Sequence, residues 1–293
     1  MRILVTGSNG QLGSEIRDLL SLYKTTDFIF RDLHNLDICN FNALENFVIE
    51  QKITGVINCA AYTDVDKAEE NSEIVKQVNS QGVLNLINAL KKVDGRLIHI
   101  STDYVFDGNN SKPYNELDTV NPIGVYGESK RDGELAVINS TIDGIVIRTS
   151  WLYSSYGDNF VKKILQLGLE KKELSVVFDQ VGTPTYARDL AKTCLSIICE
   201  NNSNKISKNG QIYHYSNEGI ASWFDFAAEI IKFGTIVCKV IPVLTKEFPT
   251  KAKRPKYSVL DKTKIKNDFN IEIPNWRDSL KECIFKIYKN KDQ

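Results

Sequence analysis

Residues 6–13 read Thr6-Gly7-Ser8-Asn9-Gly10-Gln11-Leu12-Gly13, a glycine-rich turn set between an apolar run at 2–6 and an amphipathic stretch at 11–20. Glycines at such a strand-to-helix turn let the backbone bend tightly and approach a pyrophosphate, which the free N–H groups of the helix N-terminus then hold. Three glycines alone would describe an ordinary turn. Here, however, Asp32 lies 19 residues beyond Gly13, at the end of a second β-rich run at 28–31. That is close to the ~20-residue spacing at which a dinucleotide fold places the carboxylate for its ribose diol. The stretch therefore predicts a dinucleotide site containing Gly7, Gly10, Gly13 and Asp32. Asp32 would favour NAD and the adjacent Arg31 could pair with the extra phosphate of NADP, so the choice between NADH and NADPH stays open.

Outward from that turn the same rhythm repeats. Residues 41–51 read as a helix and 55–60 as a third strand. Residues 71–92 read as one long helix with Val75, Val78, Val83, Leu86, Ile87 and Leu90 on one face. A buried strand at 96–101, a helix at 126–139 and a strand at 144–148 follow. Short β-rich runs alternating with helical periods are the mark of βαβ units and a parallel sheet. After Trp151 the rhythm loosens into helices at 159–170, 187–199 and 222–232 and strands at 174–178 and 211–216. A polar surface loop is expected at 201–210, an irregular Pro/Lys-rich segment at 242–255 and a closing helix at 280–288. The expected fold class is α/β: a Rossmann-type doubly wound parallel sheet over 1–150, rejoined by later segments, with a smaller mixed α/β C-terminal substrate lobe over 151–293.

Composition narrows the function. The 293 residues carry 37 Lys+Arg against 37 Asp+Glu. A zero balance removes the net basic surface that drives non-specific nucleic-acid binding. No apolar stretch approaches the ~20 residues that span a bilayer, and residues 1–5 are too short for a signal peptide, so a cytoplasmic location without membrane contact is expected. Six scattered cysteines with no C-x-x-C pair read as small buried hydrophobes, and only three histidines are present, so no metal site is assigned from composition.

Tyr126 and Lys130, in Tyr-Gly-Glu-Ser-Lys, stand four apart on a predicted helix and share a face. An ammonium beside a phenol stabilises the phenolate, which makes the pair a usable proton donor and acceptor. Ser101-Thr102-Asp103-Tyr104-Val105-Phe106 closes the strand at 96–101, where a hydroxyl can meet a reacting oxygen at the carboxyl edge of the sheet. The ordered set of the glycine turn, Asn58-Cys59-Ala60-Ala61-Tyr62-Thr63, Ser101–Phe106, Tyr126-Gly-Glu-Ser-Lys130 and Arg148-Thr149-Ser150-Trp151 resembles the extended short-chain dehydrogenase/reductase family. The resemblance continues through Asp179–Thr185, Asp189-Leu190-Ala191, Arg254-Pro255 and Pro274–Arg277.

That resemblance implies NADPH- or NADH-dependent reduction of the C4 ketone of a nucleotide-activated deoxysugar, dTDP-4-dehydro-L-rhamnose. Tyr126, Lys130 and Thr102 would be catalytic. Gln11, Leu12, Asp37, Ile38, Ala61, Tyr62 and Thr63 would join the glycines, Asp32, Tyr126 and Lys130 around the cofactor. Asp103 and Trp151, with Thr102, would contact the sugar, and Arg254 is the chosen partner for the diphosphate. Some members of the family bind magnesium at a dimer interface through acidic side chains. Mg2+ and a homodimer are left open on that ground, with Glu15 as the available ligand and no matching late glutamate in 289–293. Another nucleotide-sugar reductase or epimerase, or a noncatalytic regulatory homologue, is the alternative. Dehydratases of the superfamily need a carboxylate directly after Thr-Asp, and this chain has Tyr104 there.

Overall fold

The computed structural model describes residues 1–199 and 210–290. Its first half runs β1 (Arg2–Thr6), α1 (Gln11–Asp18), β2 (Asp27–Phe30), α2 (Phe41–Glu50), β3 (Gly55–Asn58), α3 (Val65–Ala68), α4 (Ser72–Lys76), α5 (Gly82–Lys91), β4 (Arg96–Thr102), α6 (Val125–Ile138) and β5 (Asp143–Thr149). The second half adds β6 (Leu152–Tyr153), α7 (Phe160–Glu170), β7 (Glu173–Val177), β8 (Val181–Gly182), β9 (Thr185–Tyr186), α8 (Ala187–Cys199), β10 (Gln211–His214), β11 (Ala221–Ser222), α9 (Trp223–Phe233), β12 (Lys239–Val243), α10 (Thr263–Phe269) and α11 (Trp276–Lys289).

Among the described residues the largest sheet has six parallel strands in the order β10-β5-β4-β3-β1-β2. Its central strands are apolar runs because helices cover both faces and leave no solvent side for polar residues. On one face Ile3, Val5 and Ile147 pack with Ile16 of α1 and Leu190, Cys194 and Ile198 of α8. On the other, Leu4, Val56 and Val146 meet Leu44 of α2 and Val83 and Leu86 of α5. A second apolar cluster joins Val161 and Leu165 of α7, Phe226 and Ile230 of α9, and Trp276, Leu280 and Ile284 of α11. Residues far along the chain thus return to the sheet, as α8 and β10 do, while α7, α9 and α11 gather around their own core.

Helix starts follow local chemistry. Ser222, the N-cap residue of α9, accepts from Asp225 N–H at 3.1 Å while Asp225 accepts from Ser222 N–H at 2.9 Å, closing a capping box. Asn40, Asn159 and Asn275 cap α2, α7 and α11 with a single bond each, the side-chain oxygen accepting from Ala43, Lys162 and Arg277 N–H.

Four expectations need correction. Residues 71–92 do not form one regular helix: a π turn, Gln77–Gln81, separates α4 from α5. It brings Asn79 into contact with the strand-end segment, where its Oδ1 accepts from Tyr62 N–H at 2.8 Å and its Nδ2 donates to Tyr62 O at 3.1 Å. Single π turns of this kind gather at functional sites. The segment 242–255 begins inside a strand, since Pro242 and Val243 belong to β12, which pairs in parallel with β7. The helix α10 was not foreseen. The closing helix starts at Trp276 rather than 280. The loop expected at 201–210 lies, apart from Gly210, outside the described residues.

Candidate active site

A cleft of about 920 Å³ opens at the carboxyl ends of β1, β3, β4 and β5, the edge where a doubly wound sheet binds its ligands. The glycine turn forms one wall. Gly7 has φ +58°, and a Cβ there would lie 2.7 Å from Ala60 N, so only glycine lets the turn sit against the end of β3. A Cβ on Gly13 would lie 2.6 Å from Ser8 Cα. Gly13 therefore serves the packing of α1 on its own turn and does not line the cleft. At Gly10 a Cβ would approach only the Gly7 carbonyl, at 3.2 Å. The turn thus leaves an open cradle at the N-terminus of α1, which suits a pyrophosphate.

Gly7, Gly10, Gln11, Leu12, Asp32, Asp37, Ile38, Ala61, Tyr62 and Thr63 all line this cleft. Asp32 also organises it: Oδ2 accepts from Asn9 N–H and Oδ1 from Leu33 N–H, both at 2.8 Å. Arg31, the candidate for a 2′-phosphate, is turned elsewhere. Its guanidinium sits 5.0 Å over the Phe47 ring and donates to Phe30 O at 3.0 Å. Asp37 accepts from Cys39 N–H at 2.8 Å, a local turn that seats Ile38 against Gly82.

The opposite wall carries Thr102, Asp103, Tyr126, Lys130 and Trp151. Thr102 ends β4 and Tyr126 opens α6. The neighbouring Thr102, whose hydroxyl donates to Asp103 Oδ1 at 3.0 Å, favours the ionised phenol, yet desolvation dominates and pushes Tyr126 up to about 12. The expected partnership of Tyr126 with Lys130 takes a different form. One helical turn deeper, the Lys130 amine donates to Ile100 O at 2.7 Å and stands 3.4 Å from His99 Nε2. Burial draws Lys130 down to about 8, with Glu134 and Cys59 opposing. In this arrangement the phenol is held in its acid form by desolvation, and the amine stays mostly an ammonium at neutral pH but loses its proton only slightly above it.

Asp103 is buried, and its Oδ2 has no hydrogen-bond partner among the described residues. Burial pushes it up to about 6, while the Ser258 and Thr102 hydroxyls pull the other way. Trp151 sits at φ +48° and stacks on Trp223, and Gly182 gives it room: a Cβ there would lie 2.7 Å from the indole.

Arg254 is not brought to the cleft lining. Its Nη2 donates to Asp66 Oδ2 at 2.7 Å, and its Nη1 is buried without a partner among the described residues. Glu15 does not fit a divalent metal. It is fully buried, its Oε1 accepts from Ser154 at 2.6 Å and Ser155 at 3.4 Å, and its Oε2 accepts from Lys286 at 2.8 Å and Arg188 at 3.4 Å. Two cations already neutralise it. Among the described residues no group of three or more His, Cys, Asp or Glu is placed to hold a metal ion.

Three contributors escaped sequence reasoning. Trp223 had no marker beyond its helix cap. Asn79 had one, as a lone amide on the row Val75, Asn79, Val83 of an otherwise apolar helix face. Asn159, whose amide donates to Gln11 Oε1 at 3.1 Å, ties the start of α7 to the glycine turn and lines the cleft.

A parallel sheet with a glycine-turn cradle and a Thr-Tyr-Lys set across the cleft defines an extended short-chain dehydrogenase/reductase. The profile of the RmlD substrate binding domain matches residues 1–289, and the chain belongs to that family, the dTDP-4-dehydrorhamnose reductases. It is 38% identical over 286 residues to dTDP-4-dehydrorhamnose reductase of Aggregatibacter actinomycetemcomitans, covering 96% of this chain and 97% of that protein. A solved dTDP-4-dehydrorhamnose reductase of Clostridium acetobutylicum superposes with a TM-score of 0.92 at 44% identity, covering 98% of this chain and 100% of the other. The enzyme of Bacillus anthracis, solved in complex with NADP, superposes with a TM-score of 0.91 at 37% identity over 97% of this chain and 99% of the other.

Proposed function

We propose that the chain reduces the C4 ketone of dTDP-4-dehydro-L-rhamnose to dTDP-L-rhamnose, in the cytoplasm, as a step toward cell-surface polysaccharide. Family membership over nearly the whole chain names the substrate. The observation that carries the chemistry is the half-buried Tyr126 phenol, set beside Thr102 on the wall of the cleft.

NADPH or NADH, when bound along the glycine turn, supplies the hydride for C4. The rest belongs to the chain's own residues. With its pKa raised to about 12, Tyr126 is protonated at neutral pH and donates to the C4 oxygen as negative charge develops there. Thr102, whose hydroxyl donates to Asp103 Oδ1 at 3.0 Å before reaction, would turn that proton to the phenolate left behind. Lys130, near 8, is poised to restore the proton balance of the site and to hold the nicotinamide ribose. Asp103 has an Oδ2 free to accept from a sugar hydroxyl, and Trp151 offers an apolar face to the ring.

The test is to supply dTDP-4-dehydro-L-rhamnose with NADPH or NADH and follow cofactor absorbance beside product formation. One cofactor oxidised per sugar reduced is the expected result. Sugar conversion without net oxidation would show an isomerase and overturn the reading.

A further inference from the structure

A row of four buried polar side chains runs beneath the cleft. Thr6, Asn58 and His99 stand in register on the adjacent strands β1, β3 and β4, which puts all three on one face of the sheet. Thr6 Oγ1 donates to Asn58 Oδ1 at 2.6 Å, Asn58 Nδ2 lies 3.0 Å from His99 Nδ1, and His99 Nε2 lies 3.4 Å from Lys130 Nζ. None of the four is more than 2% exposed. The helix α6 comes this close because residue 133 is glycine: a Cβ there would strike the Asn79 carbonyl and stand 3.3 Å from His99 Nε2.

Donors and acceptors in this row can be counted. With Asn58 donating to Nδ1, the ring proton sits on Nε2, and Nε2–H can bond only to a neutral Lys130 amine, since an ammonium has no acceptor. With the Asn58 amide turned over, Nδ1–H donates to Oδ1, Nδ2 donates to Thr6 Oγ1, and Nε2 accepts from the Lys130 ammonium. From Asn58 to Lys130 the row thus keeps its hydrogen bonds with either form of the lysine, and the Thr6 hydroxyl changes from donor to acceptor. The remaining titratable groups facing Lys130 are Glu134 from its own helix and Cys59 beyond β3, and both favour the charged form. Burial, then Lys130, keeps His99 itself neutral.

We infer that His99 is a positioning residue for the reduction: held by Asn58 and Thr6, it fixes the Lys130 amine and answers each change in its charge by reversing the hydrogen bonds of the row. The inference rests on the reading of Tyr126 and Lys130 as the proton-handling pair. The ammonium makes the stronger, charge-assisted bond to Nε2. Loss of the imidazole therefore costs the charged form more, and the Lys130 titration moves down.

The experiment follows the 15N signal of the Lys130 Nζ with pH in labelled protein, assigned against Lys130→Arg, together with the pH profile of kcat. His99→Leu lowers the Lys130 midpoint by about one pH unit, and the alkaline limb of kcat moves with it. Asn58→Asp makes Nδ1 a fixed donor and Nε2 a fixed acceptor, so the midpoint moves up. His99→Gln, whose amide can present either an oxygen or an N–H, returns the midpoint toward wild type. An unchanged midpoint in His99→Leu and Asn58→Asp overturns the inference. Should the leucine variant not fold, the upward shift in Asn58→Asp beside a near-wild-type midpoint in His99→Gln decides it. The titration is read without turnover, so it stands apart from failure of the proton-donor reading, which would show as full turnover in Tyr126→Phe.

Discussion

Trp151 and Trp223 stack face to face, with ring centroids 3.6 Å apart and planes 8° from parallel. Trp151 follows the last residues of β5 and lines the cleft, whereas Trp223 opens α9 and belongs to the second apolar cluster. The contact transmits the position of the C-terminal core to the cleft wall. Trp223→Ala removes a stacked pair of the kind worth ~0.5–1.5 kcal/mol beyond its buried area, which is about two- to tenfold in an equilibrium constant. The expected result is a rise of that size in KM for the sugar nucleotide, with cofactor Kd unchanged and Trp223→Phe intermediate. Steady-state kinetics with cofactor titration check it, and an unaltered KM would show that Trp151 holds its pose alone.

Tyr126→Phe keeps the ring and its edge contact with Tyr104, whose centroid is 5.5 Å away, and deletes only the acidic oxygen. A positioned proton donor contributes about 10²–10⁴ in rate. The variant is expected to lose kcat by about that factor while binding NAD(P)H as before. Stopped-flow turnover and cofactor fluorescence separate the two, and wild-type kcat would remove Tyr126 from the mechanism.

Asp103 makes a stability cost visible. Burial raises its pKa from 3.8 to about 6, so the folded chain holds this proton more tightly than the unfolded chain does. Stability from this group is therefore full below the unfolded value and falls as pH rises from about 4 to about 6, by roughly 3 kcal/mol, and is level above that. Asp103→Asn removes the dependence. It is expected to unfold at higher denaturant than wild type at pH 7.5, with the gap closing near pH 4, while sugar affinity falls because the Oδ2 acceptor is gone. Equal denaturation midpoints at pH 7.5 would show that Asp103 is not strained by burial.

The parts of this arrangement that were legible in the sequence are those carried by short-range pattern. The turn Gly7 to Gly13 and the pair Tyr126 and Lys130 announce themselves within eight residues, and the apolar alternation of the first half marks β1 to β5. The strand β7 was expected at 174–178, but its pairing with β12 was not. Residues 173–177 and 239–243 meet across more than sixty positions, β12 contains Pro242, and neither of its faces is fully buried, so alternation is weak. Helix α10 is two turns long, lacks a side-chain cap at Lys262 and stops at a left-handed Asn270, leaving little periodicity to detect. Arg31 and Arg254 show a further limit: residue type offered each to a phosphate, but the fold gives Arg31 to Phe47 and binds Arg254 to Asp66.

Glu15 joins α1 to α8 and α11 through Arg188 and Lys286, with Asp18 2.7 Å from Lys286 as a second carboxylate. Because these cations occupy the oxygens a metal would need, chelation is expected to change neither activity nor Tm. Glu15→Ala leaves Arg188 and Lys286 to the more exposed carboxylates of Asp18 and Glu282 and is expected to cost about 1–3 kcal/mol, the order for removing one partner of a part-buried hydrogen bond. Thermal melts with and without EDTA, in wild type and variant, give both answers. A fall of several degrees on adding EDTA to wild type would restore the metal.

Asp32 and Arg31 together set an expectation for the cofactor. The Asp32 carboxylate lines the cleft, where it would accept from a ribose diol and repel a 2′-phosphate, and the guanidinium that could have offset that repulsion is spent on Phe47. The Bacillus anthracis relative was solved with NADP, so the family cleft admits that cofactor, but in this chain NADH is expected to give a kcat/KM at least equal to that of NADPH. Asp32→Ser keeps an oxygen for the Asn9 N–H, which the carboxylate now binds at 2.8 Å, and removes the charge. Its expected effect is a shift of about tenfold toward NADPH, equivalent to ~1.4 kcal/mol. Parallel kinetics with the two cofactors measure the ratio directly. A wild-type enzyme that strongly prefers NADPH, with the ratio unmoved in Asp32→Ser, would mean that the 2′-phosphate is held by residues other than these two.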